Sequence, residues 1–136
     1  MQRPTGITIL AVLAAIGGIL GIIGAFALFA LGAIGAGLGA AVGVSQGFLA
    51  GGFAVFWGLV TLVMGVFDLI LAYGAWFLKP WAWILGIGVE ALAILVAIVN
   101  LIGGRGFFGF LFSVAIAGVI IYYLYTPEVR RVFGRA

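Results

Sequence analysis

Four apolar stretches, each long enough to cross a lipid bilayer, constrain the fold of this chain more than any other feature. They cover about residues 7–30, 53–78, 81–102 and 107–125. A helix needs about 20 mostly apolar residues to span a bilayer, and lipid offers no water to unpaired backbone groups. Only 7% of the residues are charged, against about 25% in a soluble domain. The sequence predicts an all-α integral membrane protein, a single domain of four transmembrane helices in an antiparallel bundle.

The first stretch also has features of a secretory signal. Arg3 precedes it, and residues 25–27 (Ala-Phe-Ala) fit a small-x-small cleavage site. The apolar run from Ile7 to Gly24 is, however, longer than the apolar core of about 7–15 residues that is usual in a signal peptide. We therefore expect an uncleaved first helix.

The basic residues predict the orientation. With four spans, Arg105 lies alone on one side. The other five lie on the opposite side: Arg3, Lys79, Arg130, Arg131 and Arg135. Basic loops stay in the cytoplasm, so we expect both termini there. Aromatic residues flank the Lys79 turn and end the fourth span, where they are expected to anchor the cytoplasmic interface.

A short basic helix is predicted after the fourth span, over residues 127–133. Thr126 precedes it as a cap, and Pro127 and Glu128 suit its first turn. Its apolar side would lie in the membrane interface, while basic side chains face anionic headgroups. The candidate headgroup contacts and orientation signals are Lys79, Arg130, Arg131 and Arg135. The alternative is a basic tail that only orients the protein.

Composition argues against catalysis. The chain has no Cys and no His, and its only acids are Asp68, Glu90 and Glu128. These residues cannot form a catalytic triad or a conventional metal cage, and no phosphate-binding loop is present. No basic cluster interleaved with aromatic residues suggests nucleic acid binding. We expect neither enzymatic activity nor a metal, cofactor or nucleic acid partner.

A glycine-rich segment, residues 31–52, lies between the first two spans. Five glycines recur in it at a spacing of four: Gly35, Gly39, Gly43, Gly47 and Gly51. In one helix they would form a glycine zipper, a bare face that lets another helix approach closely. This pattern predicts a close helix–helix contact through which the chain self-associates, with Gly17, Gly21 and Ala25 of the first span as the next candidate. The alternative is a flexible linker with partly accidental spacing.

Asp68 and Glu90 are the two acids within the apolar stretches, and each lies eleven residues from Lys79. In a helical hairpin both carboxyls would lie about 16 Å from the turn, near the middle of the hydrocarbon core. Two facing carboxyls there should not both ionise, so we expect at least one to be protonated. The pair is either a hydrogen-bonded link between helices or a proton or cation site, with Thr61 and Asn100 as polar neighbours.

Small and polar residues form matching stripes on the second and third spans. The pairs expected across the hairpin are Gly58 with Asn100, Thr61 with Ala97, Gly65 with Ala93, Asp68 with Glu90, Ala72 with Gly86, and Ala75 with Trp83. Small residues at such positions are typical of helix contacts in membranes. The stripes therefore predict that these two spans pack together.

Two stretches carry a resemblance. Residues 73–83 (YGAWFLKPWAW) and residues 122–130 (YYLYTPEVR) resemble the hairpin turn and the end of a family of small four-helix membrane proteins of bacteria and archaea. The resemblance implies a four-span α-helical fold, a location in the plasma membrane of a prokaryote, and no activity.

Two functions follow as hypotheses. The first is a non-catalytic structural or accessory membrane protein, which self-associates or docks on a larger membrane complex through glycine-rich helix faces. The alternative is a small oligomeric channel, or a proton- or cation-coupled carrier, that uses Asp68 and Glu90. Membrane lipid is a partner in both.

Overall fold

The computed structural model describes residues 3–104 and 106–135, and over these residues the chain is helical without strands. The helices are α1 (Thr5–Ala41), α2 (Ser45–Trp76), α3 (Pro80–Ile102), α4 (Phe107–Leu124) and α5 (Pro127–Val132). Within the described part, α1 to α4 are long and apolar enough to cross a membrane. This confirms the expected all-α, multi-pass class. The orientation signal at Arg105 lies outside the described residues.

The first two helices differ most from the predicted spans. α1 has 37 residues and α2 has 32, which correspond to about 55 Å and 48 Å. The segment 31–52 is therefore neither a linker nor a separate element: it is shared between the end of α1, a short turn and the start of α2. By contrast, α3 and α4 begin and end within one residue of the third and fourth predicted stretches.

Gly43 ends α1. Its φ of +68° is in the left-handed region that favours glycine. The Val44 N–H donates to the Gly39 carbonyl at 2.8 Å, and the Gly43 N–H donates to the Ala40 carbonyl at 3.3 Å. These two bonds are the Schellman motif, which satisfies the last carbonyls of a helix. α2 can then start at once, at Ser45.

The same motif ends α2, with Leu78 in the left-handed position at a φ of +53°. The Lys79 N–H donates to the Gly74 carbonyl at 2.8 Å. Pro80 follows as the first residue of α3, where its fixed φ suits a helix start. The Lys79-Pro80 break is therefore the turn that the sequence predicts.

The chain divides into two compact units. The first unit contains residues up to Leu13 and from Ile70 onward, and the second contains residues 14–69. In the first unit, α3 packs along α4. A Cβ at Gly74 would lie 2.7 Å from the Ala82 Cβ, and a Cβ at Gly86 would lie 3.3 Å from the Leu71 side chain. Near the turn, α2 and α3 therefore pair one or two residues away from the expected register.

α5 packs on protein instead of presenting its apolar side to lipid. Val129 and Phe133 are each only 1% exposed, whereas Arg130 and Arg131 are exposed. Thr126 precedes the helix, but its hydroxyl donates to the Tyr123 carbonyl at 2.7 Å and does not cap α5. The structure has a helix at the expected place, and its apolar side packs on protein. Its location at the membrane interface stays a prediction.

Candidate functional site

Glycines bring α1 and α2 into backbone contact within the second unit. Near the turn, a Cβ added at Gly39 would lie 2.6 Å from the Phe48 nitrogen and 2.9 Å from the Gly47 Cα. Real Cβ atoms do not approach backbone so closely, so no larger residue fits without a shift of one helix. The contact depends on the absence of side chains at these positions.

The same contact continues along the helices. A Cβ at Gly51 would lie 2.5 Å from both the Ala36 nitrogen and the Gly32 oxygen. At Gly35 it would lie 3.8 Å from the Gly51 Cα, an ordinary contact distance. Gly47 and Gly51 of α2 thus pack on Gly32, Gly35 and Gly39 of α1.

Farther from the turn, Gly58 and Gly65 provide the small residues of α2. A Cβ at Gly58 would lie 2.7 Å from the Phe29 ring, and one at Gly65 would lie 3.0 Å from the Gly18 oxygen. Residue numbers fall along α2 as they rise along α1, so the two helices run antiparallel in this unit. Within this unit, Gly58 and Gly65 therefore face α1. Their expected pairing with Asn100 and Ala93 of α3 stays a prediction.

The buried small residues of this contact recur every seven positions. They are Gly18, Ala25, Gly32 and Gly39 on α1, and Gly51, Gly58 and Gly65 on α2. A strict seven-residue repeat keeps one seam of a helix facing its partner and is typical of left-handed supercoiling. Sequence reasoning followed the spacing of four and missed this spacing of seven, together with Gly18 and Gly32.

The expectation that five glycines form one face of one helix is also wrong. Gly35 and Gly39 belong to α1, Gly47 and Gly51 belong to α2, and Gly43 is the turn residue between them. A single helix cannot continue through Gly43 because its backbone there is left-handed. The glycines therefore face one another within one chain, and the face expected to contact another subunit is already occupied.

The two intramembrane acids lie in different units. Asp68, in the second unit, is half-buried, and a Cβ at Gly17 would lie 3.7 Å from its Oδ2 atom. Asp68 thus lies beside the α1–α2 contact, at a point where the residue of α1 is a glycine and has no side chain. Glu90 is half-buried on α3 in the first unit. The mutual facing of these carboxyls, and their protonation, stay predictions.

Thr61 and Asn100, the polar neighbours expected for the carboxyl pair, make different contacts. The Thr61 hydroxyl donates to the Trp57 carbonyl at 2.8 Å, one turn earlier in the same helix. This bond satisfies the hydroxyl inside α2, as is common for threonine in apolar helices. Asn100 lies in the first unit, where it lines a cavity between α3 and α4.

In the first unit, contacts of aromatic and basic side chains hold the helix ends together near the two chain termini. The Arg3 guanidinium donates to the Trp76 carbonyl and lies 4.6 Å from the centre of the Trp76 ring. It thus satisfies a carbonyl at the C-terminal end of α2, where a cation is favoured by the helix dipole. Lys79, in the following turn, is exposed and free to reach lipid headgroups.

Trp83 makes the second set of such contacts. Its indole N–H donates to the Leu124 carbonyl at 2.7 Å, and its ring meets the Tyr125 ring edge-to-face at 5.4 Å. The Arg135 guanidinium lies 5.9 Å from the centre of the same indole. Trp83 therefore connects α3 to the end of α4 and to the segment after α5, a role that its expected interfacial location did not indicate.

No protein family, curated protein or solved structure was found to match this chain. The resemblance to small four-helix membrane proteins therefore stays a prediction.

Proposed function

We propose that this chain is a non-catalytic structural or accessory protein of the membrane, and that it acts by packing the outer surface of its α1–α2 hairpin against a larger membrane complex or a second copy. The observation that carries this proposal is the length of that hairpin. The glycine zipper holds the hairpin together, and the docking surface is its opposite, apolar side.

The hairpin is too long for the hydrocarbon core. At a tilt of 40°, the upper end of the usual range, α1 would still span about 42 Å, against a core of about 30 Å. Arg3 precedes α1, and Trp76 and Lys79 come at and after the end of α2. All three are interfacial residue types, and along each helix they are the residues farthest in sequence from the Gly43 turn. With that end held at the interface, the excess length falls at the turn end.

The turn end of the hairpin is apolar on its outside. Side chains there are at least 60% exposed: Leu31, Leu38, Val42, Phe48 and Leu49. Outside the hydrocarbon core, exposed apolar surface costs about 25 cal/mol for each Å². Large surfaces of this kind mark contact sites for other proteins. A protein partner that covers the turn end removes this cost.

The mass of the complex extracted in mild detergent tests this proposal. Leu38→Ala, Phe48→Ala and Leu49→Ala together should release the partner or the second copy and leave the melting temperature almost unchanged. The matched control replaces Phe112 and Val119 of α4, which are 70% and 67% exposed, and should keep the complex. A wild-type chain that is monomeric and alone, or a triple variant of unchanged mass, would contradict the proposal.

We place the protein in the plasma membrane of a prokaryote with both termini in the cytoplasm. The distribution of basic residues supports this orientation. Accessibility labelling of cysteines introduced at positions 2, 105 and 135 tests it. Positions 2 and 135 should react from the cytoplasmic face and position 105 from the other. Labelling of positions 2 and 135 from opposite faces would rule out four spans.

A second candidate function is an ion-coupled carrier or an oligomeric channel that uses Asp68 and Glu90. The position of Asp68 beside Gly17 favours it, because the bare backbone of α1 leaves room next to a carboxyl oxygen. Reconstituted vesicles with a pH-sensitive dye test this candidate. Proton flux that disappears in Asp68→Asn would support it, and equal dye responses in protein-containing and protein-free vesicles would oppose it.

A further inference from the structure

A polar niche lies between the end of α3 and the start of α4, within the first unit. Its volume is about 290 Å³, and its walls are formed by Ala97, Asn100, Gly106, Gly109, Phe110 and Ser113. A Cβ at Gly106 or at Gly109 would meet nothing within 4 Å, so these two glycines keep the niche open. We call this cavity the Asn100–Ser113 niche.

The two polar side chains of the niche have no hydrogen-bond partner among the residues that the structure describes. Over the described residues, neither the Asn100 amide nor the Ser113 hydroxyl makes a hydrogen bond. The hydroxyls of Thr61 and Thr126, by contrast, donate to carbonyls of their own segments. A polar group left unsatisfied in a membrane-spanning region is costly. Both groups therefore need a partner that reaches them through the niche.

The depth of the niche suits the interface region of the bilayer. Asn100 lies two residues before the end of α3, and Ser113 lies six residues after the start of α4. At 1.5 Å per residue these positions are about 3 Å and 9 Å from the helix ends. α4, with 18 residues, is about 27 Å long, close to the thickness of the hydrocarbon core. The niche thus extends from the interface into the first part of the hydrocarbon region.

We propose that the Asn100–Ser113 niche binds the ester–glycerol region of a membrane glycerolipid. The Asn100 amide and the Ser113 hydroxyl donate hydrogen bonds to ester carbonyl oxygens, which lie at this depth, and one acyl chain continues along Ala97 and Phe110. Gly106 starts α4 without a side-chain cap, so backbone N–H groups there offer further donors.

Water is the competing occupant. One water molecule takes about 30 Å³ in the liquid, so the niche is far larger than a single bridging water needs. If water filled the niche, it would contact the apolar walls at Ala97 and Phe110, which is unfavourable. A lipid segment with both carbonyl oxygens and methylene groups satisfies the two kinds of wall at once.

Photo-crosslinking in nanodiscs tests the proposal. The probes are a phosphatidylcholine with two ester-linked chains and its ether-linked analogue, which lacks the carbonyl oxygens, each with a diazirine next to the glycerol. For wild-type protein, the ester lipid should label the peptide containing residues 97–113 about tenfold more than the ether lipid, because two hydrogen bonds are at stake. Equal labelling by both lipids would overturn the proposal.

Variants locate the effect. Asn100→Leu with Ser113→Ala should remove the preference for the ester lipid, and Gly109→Leu should reduce labelling by both lipids because it fills the niche. Gly118→Leu is the matched control: it adds the same side chain to α4 at a position with open space and should keep the preference. Circular dichroism of each variant verifies folding. A preference that persists in folded Asn100→Leu/Ser113→Ala would also contradict the proposal.

Discussion

Adjacent glycines of α2 offer a sharp test of the α1–α2 contact. A Cβ added by Gly51→Ala would lie 2.5 Å from the Ala36 nitrogen and the Gly32 oxygen, both backbone atoms of α1. Neither atom can move unless the helix moves. A Cβ added by Gly52→Ala, one residue later, would meet nothing within 4 Å. The two substitutions therefore differ in packing and share everything else.

The expected difference in the free energy of unfolding follows from comparing these two positions. Gly→Ala in a helix interior gains about 0.8–1 kcal/mol of helix propensity in water, and this gain applies equally at both positions. Overpacking costs about 1–3 kcal/mol, and a clash with rigid backbone places Gly51→Ala in the upper part of that range. We expect the free energies of unfolding of the two variants to differ by about 2–3 kcal/mol, with Gly52→Ala the more stable.

Reversible unfolding in mixed detergent micelles, followed by far-UV circular dichroism, measures this difference. Gly39→Ala and Gly37→Ala repeat the comparison on α1, since a Cβ at Gly39 would lie 2.6 Å from backbone and one at Gly37 would meet nothing. Equal stability within either pair, or a more stable Gly51→Ala, would refute the reasoning that close backbone packing of α1 on α2 fixes these glycines.

Three further substitutions test local features by the same unfolding measurement. Gly43→Ala should cost about 1–2 kcal/mol because alanine is disfavoured at a left-handed φ, and Gly43→Asn should cost less; equal costs would argue against the Schellman turn. Trp83→Phe should cost about 1 kcal/mol by removing the donor to the Leu124 carbonyl, whereas no cost would show that this bond is unimportant. Arg3→Gln should cost about 0.3–1 kcal/mol through loss of the cation at the end of α2, and Arg3→Lys should recover little because lysine lacks the flat group that stacks on the Trp76 ring; full recovery would contradict the stacking.

Length, apolarity and turn chemistry were sufficient to predict most of the helices. α3 begins at Pro80 and ends just before Gly103, α4 begins just after Gly106, and α5 begins at Pro127 after Thr126. These boundaries depend on local backbone preferences, which a sequence carries directly. The class of membrane protein follows equally directly from the four apolar stretches.

The course of the chain through residues 31–52 was not predictable from the same signals. Glycine is unfavourable in isolated helices, and this penalty obscured two helices that gain their stability from each other. Gly43 and Ser45 are the signals that mark the turn, since a glycine followed closely by serine is typical of one helix ending and the next beginning. The seven-residue spacing of small residues is the signal that marks the seam.

The pairing of α2 with α3 was partly predictable. Near Lys79 the two helices pack together as expected because the turn is short, but one or two residues away from the expected register. Farther away, Gly58 and Gly65 pack on α1, because small residues fit any close helix and do not specify which one. Asn100 lines a niche on α4. The glycines that line this niche could not be recognised as part of a cavity before the helices were in place.

A disulfide between positions 17 and 68 tests most directly whether α1 packs on α2 within one chain. The chain contains no cysteine, so Gly17→Cys with Asp68→Cys introduces the only thiols, and a Cβ at position 17 would lie 3.7 Å from the present Asp68 Oδ2. Oxidation in detergent should give a faster-migrating monomer on a non-reducing gel. Gly24→Cys with Asp68→Cys, the control, should not, because a Cβ at Gly24 meets nothing within 4 Å. A dimer band in place of the internal disulfide would show that the glycine contact joins two chains and would contradict the structure described here.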